Sequence, residues 1–235
     1  MELLRATDLT KKYGEQTALN LPDLILNEGE LIGLVGNNGA GKTTLMRLML
    51  DLIEATTGQV TSNGLPVNED PTWKQYTGSF IDDSFLIDFY TPEEYFEFIA
   101  EVYGLGKSEL QERLESFSEL MAGEVLGKKK YIKDFSMGNR QKIGIIGAML
   151  IHPRVLILDE PFNYLDPSSQ IVVARLISQM NSELGTTVII SSHNLTSIAD
   201  ISQRILLLER GILIKDLQND AEGHAFQELE QYFAH

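Results

Sequence analysis

The sequence predicts an α/β fold with a mainly parallel sheet core, an N-terminal antiparallel β part and a small all-helical subdomain. The apolar segments 155–161 and 186–193 have the pattern of buried strands, and a helical segment at about 168–184 separates them. Strands joined through a helix lie parallel in one sheet. Between 91 and 127, apolar residues recur at helical spacing, which predicts an all-helical insert between the α/β parts.

The N-terminal part of the chain is predicted to contribute several short strands and one helix. The segment 30–36 is apolar, β-branched and bounded by glycines, as a buried strand requires. Residues 43–53 have the pattern of a helix. Short strands are expected at 3–13, 18–26, 30–36, 59–61 and 78–81.

The helical insert has a clear start signal, and the C-terminal part is predicted to close the sheet. Thr91, Pro92 and Glu94 form the pattern of a capping box with proline in the first turn, and Ser108 is expected to open a second helix. Segments 205–211 and 212–217 predict a hairpin, and the tail from Ala221 carries apolar residues at helical spacing.

Composition and charge exclude several classes of partner and site. The 235-residue chain has a formal net charge of −15, which repels phosphate backbones and anionic lipid headgroups, so we expect no nucleic-acid partner. It has no cysteine, which excludes disulfides and thiolate-bound zinc. The longest near-continuous apolar stretch, 143–151, is far shorter than a membrane span, so we expect no direct membrane insertion.

A glycine-rich segment between a predicted strand and a predicted helix has the pattern of a phosphate-binding loop. Glycines let backbone N–H groups surround a phosphate, and the helix N-terminus adds partial positive charge. Lys42 supplies a point charge and Thr43 a hydroxyl for Mg²⁺. The alternative is an ordinary glycine-rich turn. The residues concerned are Gly36, Asn37, Asn38, Gly39, Ala40, Gly41, Lys42, Thr43 and Thr44.

Two acidic residues and a histidine end predicted strands where α/β sheets bind ligands. Asp159 and Glu160 directly follow a strand, and His193 ends the next one. Asp159 suits the coordination shell of Mg²⁺, and Glu160 suits a base that orients or deprotonates water. His193 is placed to position that water and the base. Alternatively, the acids form a solvated strand end and His193 is structural.

Taken together, these motifs resemble the ATP-binding-cassette (ABC) ATPases over nearly the whole chain. Residues 135–142, Phe-Ser-Met-Gly-Asn-Arg-Gln-Lys, are similar to the family signature and precede a helix. Tyr13 corresponds to the aromatic residue that stacks on adenine, residues 163–166 to the D-loop with its Asp166, and His193 to the switch histidine. Read from the residues alone, Ser136 is an ordinary helix cap and Tyr13 a packing residue.

The resemblance implies a mechanism in which two nucleotide-binding domains, as a homodimer, enclose two ATP molecules head to tail. Each ATP would lie between the phosphate loop of one subunit and Ser136, Gly138, Asn139 and Asp166 of the other. Catalysis would fall to Glu160, His193 and Lys42, with Mg²⁺ held by Thr43 and Asp159. Within the single domain 1–235, the α/β lobe would comprise 1–82 and 153–235, and the helical subdomain about 83–152.

The sequence departs from the family pattern at the signature and at one loop position. Met137 stands where glycine is common, and Asn139 where glutamine is common. Asp82 occupies the position of the family's glutamine near Mg²⁺ and the membrane partner, because Gln75 lies too early in this register. Asp82 is therefore either a further Mg²⁺ ligand or a solvated loop acid.

The function implied is that of the ATPase subunit of a transporter, working with separate transmembrane permease subunits. The signature and the compact helical insert resemble bacterial export-type systems for drugs, peptides or lipids. We expect a cytoplasmic location at the inner face of the membrane. One alternative is a soluble ABC ATPase for cofactor or complex assembly; another is a non-catalytic, nucleotide-gated binding module, against which Glu160 and His193 argue.

Overall fold

Ten strands form two sheets in the computed structural model, which describes residues 1–220 and 223–233. Strands β1, β2, β4 and β5 form an antiparallel sheet in the order β2-β1-β4-β5, which confirms the predicted N-terminal antiparallel part. The strands are β1 (Glu2–Tyr13), β2 (Gln16–Asn27), β3 (Leu31–Val35), β4 (Thr57–Ser62), β5 (Leu65–Pro66), β6 (Thr77–Phe80), β7 (Val155–Leu158), β8 (Thr187–Ser192), β9 (Arg204–Glu209) and β10 (Ile212–Gln218).

The second sheet has six strands in the order β10-β9-β3-β8-β7-β6. All its pairings are parallel except that of β9 with β10, which form the predicted C-terminal hairpin. Every residue of β3 and β7 is buried, so both faces of the sheet are covered. The mainly parallel core predicted from the apolar strands is thereby confirmed.

Eight helices cover the sheets: α1 (Lys42–Met49), α2 (Pro92–Val102), α3 (Lys107–Ser116), α4 (Ser118–Met121), α5 (Met137–Met149), α6 (Pro167–Leu184), α7 (Leu195–Ala199) and α8 (His224–Phe233), all within the described ranges. The capping box at Thr91 is present: its hydroxyl accepts from Glu94 N–H at 3.2 Å, and the Glu94 carboxylate accepts from Thr91 N–H at 2.7 Å. Among the described residues, no helix combines the length and the apolarity needed to traverse a bilayer.

Two of the predicted helices have different boundaries in the structure. Helix α1 ends at Met49 rather than at residue 53, because the chain turns at Asp51, whose φ is +50°. The second helix of the insert begins one residue before Ser108 and is interrupted at Phe117, where a new short helix starts. The predicted start of the tail helix at Ala221 lies outside the described residues.

Two apolar cores lie on the two sides of the parallel sheet. Leu31 and Val35 of β3 belong to one core, which also contains the inward faces of α2–α6, whereas Ile32 and Leu34 belong to the other, between the two sheets. This alternation follows from the two-residue repeat of side chains along a strand. Buried Arg204 joins both sheets, because its guanidinium donates to Ile25 O at 2.9 Å and to Asp216 Oδ2 at 2.6 Å.

Helix α5 packs directly on β6 through two glycines. A Cβ added at Gly78 would lie 1.9 Å from the backbone oxygen of Ala148. A Cβ at Gly144 would lie 2.1 Å from the ring of Phe80. The close approach of helix and strand therefore requires that neither position carries a side chain.

We expect Gly78→Ala to lower the free energy of unfolding by about 2 kcal/mol, because helix α5 must move away from the strand. Gly106→Ala is the matched control: φ is −71° at Gly106, and a Cβ there would have no heavy atom within 4 Å. Its effect should stay below about 1 kcal/mol. Urea denaturation measures both, and equal losses would contradict the packing argument.

Candidate functional site: a nucleotide pocket at the sheet edge

The carboxyl ends of neighbouring parallel strands bring the predicted site residues together. β3 leads into the phosphate loop, β7 into Asp159 and Glu160, and β8 into His193. Because β3 pairs with β8 and β8 with β7, these three strand ends are adjacent. The arrangement is the ligand crevice expected of an α/β sheet.

The phosphate loop folds tightly before α1. Gly36, Gly39 and Gly41 have φ values of +151°, +80° and +109°, which favour glycine. A Cβ at Gly36 would lie 2.3 Å from the backbone oxygen of Leu208, so the loop packs against the end of β9. Lys42 is 6% exposed, and its ammonium donates to Gly36 O at 2.6 Å. The lysine thus reaches back over the loop that it follows.

Asp159 joins the loop to the neighbouring strands. The Thr43 hydroxyl donates to Asp159 Oδ2 at 2.5 Å, and the Ser191 hydroxyl donates to Asp159 Oδ1. Asp159 itself is 7% exposed. A hydroxyl and a carboxylate in contact are oxygen ligands of the kind Mg²⁺ takes together with phosphate oxygens. Elsewhere too, the described residues contain no group of three or more His, Cys, Asp or Glu suited to a metal.

Glu160 stands between a lysine and a histidine. Its Oε2 lies 2.9 Å from His193 Nδ1, and its Oε1 lies 3.6 Å from Lys42 Nζ. The backbone of Glu160 has φ +47°, and its N–H donates to Ser191 Oγ at 2.8 Å. A non-glycine residue in this left-handed conformation costs about 1–3 kcal/mol, a cost concentrated at functional sites. The conformation aims the half-buried carboxylate into the crevice rather than along the strand.

Glu160, Lys42 and Thr43 border a cavity of about 540 Å³. Its wall includes the phosphate loop from Asn38 to Thr44, the start of β2, Glu160 and Arg210. Tyr13 does not line this cavity. It lies at the end of β1, is 52% exposed, and has Lys11 Nζ 5.0 Å from its ring centroid. Its predicted contact with adenine stays a prediction.

The signature residues begin helix α5 and lie outside the cavity wall. The hydroxyl of exposed Ser136 accepts from Asn139 N–H at 3.3 Å, so within this chain it acts as a helix cap. A Cβ at Gly138 would lie 2.7 Å from Tyr164 O, which requires glycine there. Gln141 donates to Glu160 O at 3.2 Å and links the helix to the segment that follows β7. Met137 is 46% exposed.

Asp166 caps helix α6 and also lies outside the cavity wall. Its carboxylate accepts from the hydroxyls of Ser168 and Ser169 and from Ser169 N–H. These hydrogen bonds hold the pKa of Asp166 far below its ordinary value. Gln170 donates to Phe162 O at 3.0 Å and to Leu165 O at 3.2 Å, so helix α6 holds the segment between β7 and α6.

Asp82 is a partly exposed residue that forms an ion pair with Arg47. Arg47 of α1 donates to Asp82 Oδ2 at 3.0 Å, and Ser84 N–H donates to Asp82 Oδ1 at 2.9 Å. Burial raises the pKa of Asp82, but the hydrogen bonds from Ser84 and Arg47 outweigh it and lower the pKa overall. Asp82 also borders a small cavity of about 190 Å³ together with Asp159 and Glu160. Both hypotheses for this residue therefore stay open to test.

Sequence reasoning missed several residues of the site: Arg210 of the cavity wall, and also Ser191, Gln141 and Arg47. Ser191 precedes His193 on an already predicted strand, and its position at the same sheet edge was a usable signal. Gln141 is inside the signature segment, but its contact with Glu160 O depends on how α5 packs. Arg47 faces Asp82 only because α1 crosses the loop after β6, and no sequence pattern indicates this.

Comparisons with known proteins agree with this geometry. The family model described as "ABC transporter" matches residues 19–163. The bacitracin transport ATP-binding protein BcrA of Enterococcus faecalis is 36% identical over 224 residues, 94% of this chain and 71% of BcrA. A solved ATP-binding subunit of an ABC transporter has a TM-score of 0.86 and 26% identity, covering 99% of this chain and 98% of that one.

A second solved structure supports the fold. The dimeric bacterial ABC transporter cassette MJ0796 has a TM-score of 0.81 and 24% identity, covering 93% of this chain and 100% of that one. The family match spans the phosphate loop, the signature segment and the acidic pair. The chain therefore belongs to the ABC transporter family, in which it is an ATP-binding-cassette subunit that hydrolyses ATP.

Proposed function

We propose that Glu160 is the base that activates water for ATP hydrolysis in this pocket. The proposal rests on the position of its carboxylate. This group lies 2.9 Å from His193 Nδ1 and 3.6 Å from Lys42 Nζ, at the edge of the cavity that the phosphate loop lines. A general base must lie within hydrogen-bond reach of the water that it deprotonates. The left-handed backbone holds Glu160 there.

In this proposal, Lys42 stabilises the charge of the transferred phosphoryl group and His193 orients the base. Lys42 is buried and close to the loop, so its ammonium stabilises negative charge on the phosphates. His193 is 55% exposed and contacts Glu160, so it orients the base. Backbone N–H groups of residues 36–44 cradle the phosphate chain. Tyr13 is proposed to stack on adenine.

Mg²⁺ is proposed to bind beside Thr43 and Asp159, whose oxygens already lie within hydrogen-bond distance of each other. When bound, it would neutralise part of the phosphate charge. Ser191 keeps Asp159 oriented toward the loop, because its hydroxyl donates to the other carboxylate oxygen. The protein supplies few oxygen ligands of its own here, so tight binding would require the nucleotide.

We further propose that two copies of the chain assemble head to tail, with Ser136, Gly138, Asn139 and Asp166 completing the partner's site. These residues lie outside the cavity wall of their own chain, and Ser136 begins the thirteen-residue helix α5, whose N-terminus favours an anion. The cassette MJ0796, a fold relative, is described as dimeric.

Separate permease subunits are proposed to hold this dimer at the cytoplasmic face of a membrane and to use its closure for transport. The E. faecalis relative is named for bacitracin transport, which supports a transporter, and the signature segment 135–142 resembles export-type systems. We propose export as the direction. The helical residues, about 83–152, are proposed as a subdomain beside the α/β lobe formed by 1–82 and 153–235.

We expect Glu160→Gln to retain Mg-ATP binding and to lose hydrolysis by at least about a hundredfold, because the amide cannot accept the proton of water. The ATP-bound dimer should live longer, which size-exclusion chromatography with ATP measures. Glu101→Gln, an exposed carboxylate on α2, is the control and should hydrolyse ATP normally. Hydrolysis at the parent rate by Glu160→Gln would show that another group is the base.

The head-to-tail arrangement predicts complementation between two inactive variants. Lys42→Ala and Ser136→Arg each inactivate both sites of a homodimer, but a mixed dimer has one site with both changes and one with neither. Mixing the two proteins should therefore restore part of the Mg-ATPase activity. The control is a mixture of the Lys42→Ala and Glu160→Gln proteins. Lys42 and Glu160 of one chain belong to the same site, so each site of this mixed dimer carries one of the two changes and none is intact. ATPase activity in the control mixture, or no recovery of activity in either mixture, would contradict the head-to-tail arrangement.

Asp82 is expected to act through Arg47, because its carboxylate is already engaged by Arg47 and Ser84. Asp82→Gln and Arg47→Gln should then change ATPase activity in the same direction and by similar amounts, and neither should shift the midpoint of Mg²⁺ activation. A Mg²⁺ titration of both variants measures this. A midpoint shifted in Asp82→Gln alone would instead make Asp82 a metal ligand.

A further inference from the structure

Arg210, in the turn between β9 and β10, is an unassigned part of the nucleotide pocket. It lines the 540 Å³ cavity together with the phosphate loop and Glu160. We propose that its guanidinium binds the phosphate chain of the nucleotide as a second cation beside Lys42. This inference rests on the proposed nucleotide site and adds a binding residue that the family motifs identified in the sequence do not include.

The turn that carries Arg210 is fixed to the pocket on two sides. Gly211 N–H donates to Ala40 O of the phosphate loop at 2.8 Å, and Asn20 N–H of β2 donates to Gly211 O at 2.7 Å. A Cβ at Gly211 would lie 2.7 Å from Ala18 O, so the turn is wedged between β2 and the loop. The backbone of Arg210 is therefore held beside the loop whatever its side chain contacts.

Arg210 has no ion-pair partner within the described residues. Its guanidinium makes no side-chain hydrogen bond there either, whereas every other arginine is paired with a carboxylate. The carboxylate next to it in sequence, Glu209, accepts a hydrogen bond from Tyr232 instead. The paired arginines are Arg5, Arg47, Arg113, Arg140, Arg154, Arg175 and Arg204.

Among the charged side chains of the cavity wall, Arg210 adds a positive charge to that of Lys42. The charged side chains of this wall are Lys42, Glu160 and Arg210. Glu160 lies 3.6 Å from Lys42 Nζ and offsets much of the lysine's charge. Arg210 then gives the wall its net positive charge, in a chain of formal net charge −15. A guanidinium also matches two phosphate oxygens at once, a geometry that an ammonium lacks.

The test is nucleotide binding by Arg210→Gln and Arg210→Lys, measured by calorimetry with Mg-ADP and with a non-hydrolysable Mg-ATP analogue over a range of salt concentrations. We expect Arg210→Gln to raise Kd about tenfold for both nucleotides, as for a lost charge-assisted hydrogen bond. The dependence of log Kd on log salt should become shallower, because one charge contact is removed. Arg210→Lys should retain most of the affinity and the salt dependence.

Arg5→Gln is the matched control, since it removes the same charge from β1 at a site ion-paired with Asp23 and outside the cavity wall. It should leave Kd unchanged. Unchanged Kd in Arg210→Gln would overturn the proposal. The proposal would also be overturned if Arg210→Gln bound more weakly with the salt dependence of the wild type and Arg210→Lys did not restore the affinity. That result would indicate that Arg210 stacks on the nucleoside. If the unsubstituted chain bound neither nucleotide, the pocket itself would be wrongly assigned, and the role of Arg210 with it.

Discussion

The parallel pairing of β7 with β8, and of β8 with β3, is the constraint on which the site depends. Hydrogen bonding in register aligns Leu158 with Ile190 and Val35 with Ser192, so the three strands end at one edge of the sheet. The residues that follow these strands then meet without any long loop having to place them. Because alternate side chains of these strands pack into different cores on the two faces of the sheet, a slip of one residue would move each side chain into the wrong core, so packing also fixes the register of the site.

Polar contacts within the crevice turn this alignment into a defined geometry. Ser191 of β8 contacts both acidic residues that follow β7, donating to the Asp159 carboxylate and accepting from Glu160 N–H. One hydroxyl thus sets the spacing between a proposed metal ligand and a proposed base. Lys42 and His193 then approach Glu160 from two sides. Each functional group is oriented by another strand end, so its position depends on the sheet rather than on its own flexibility.

Sequence reasoning predicted the parts that local pattern determines. The fold class, the capping box at Thr91 and the closing hairpin followed from periodicity and turn chemistry, and the phosphate loop from glycine spacing. The end of α1 was placed too late because a left-handed residue, Asp51, stops a helix whose apolar pattern continues. The contacts of Arg47 with Asp82 and of Gln141 with Glu160 O could not be predicted, because they join residues brought together only by tertiary packing.

The segment that follows β7 connects the pocket to the signature helix at two points. Glu160 O accepts from Gln141 of α5, and Tyr164 O lies so close to Gly138 that a Cβ there would be at 2.7 Å. Tyr164 has φ +63°, so this segment carries a second left-handed residue besides Glu160. Because Gln170 fastens the same segment to α6, its backbone has little freedom to absorb a displacement. A shift of Glu160 must therefore move α5 or break these contacts, which physically links the carboxylate proposed as the base to the residues proposed to face the partner subunit's nucleotide.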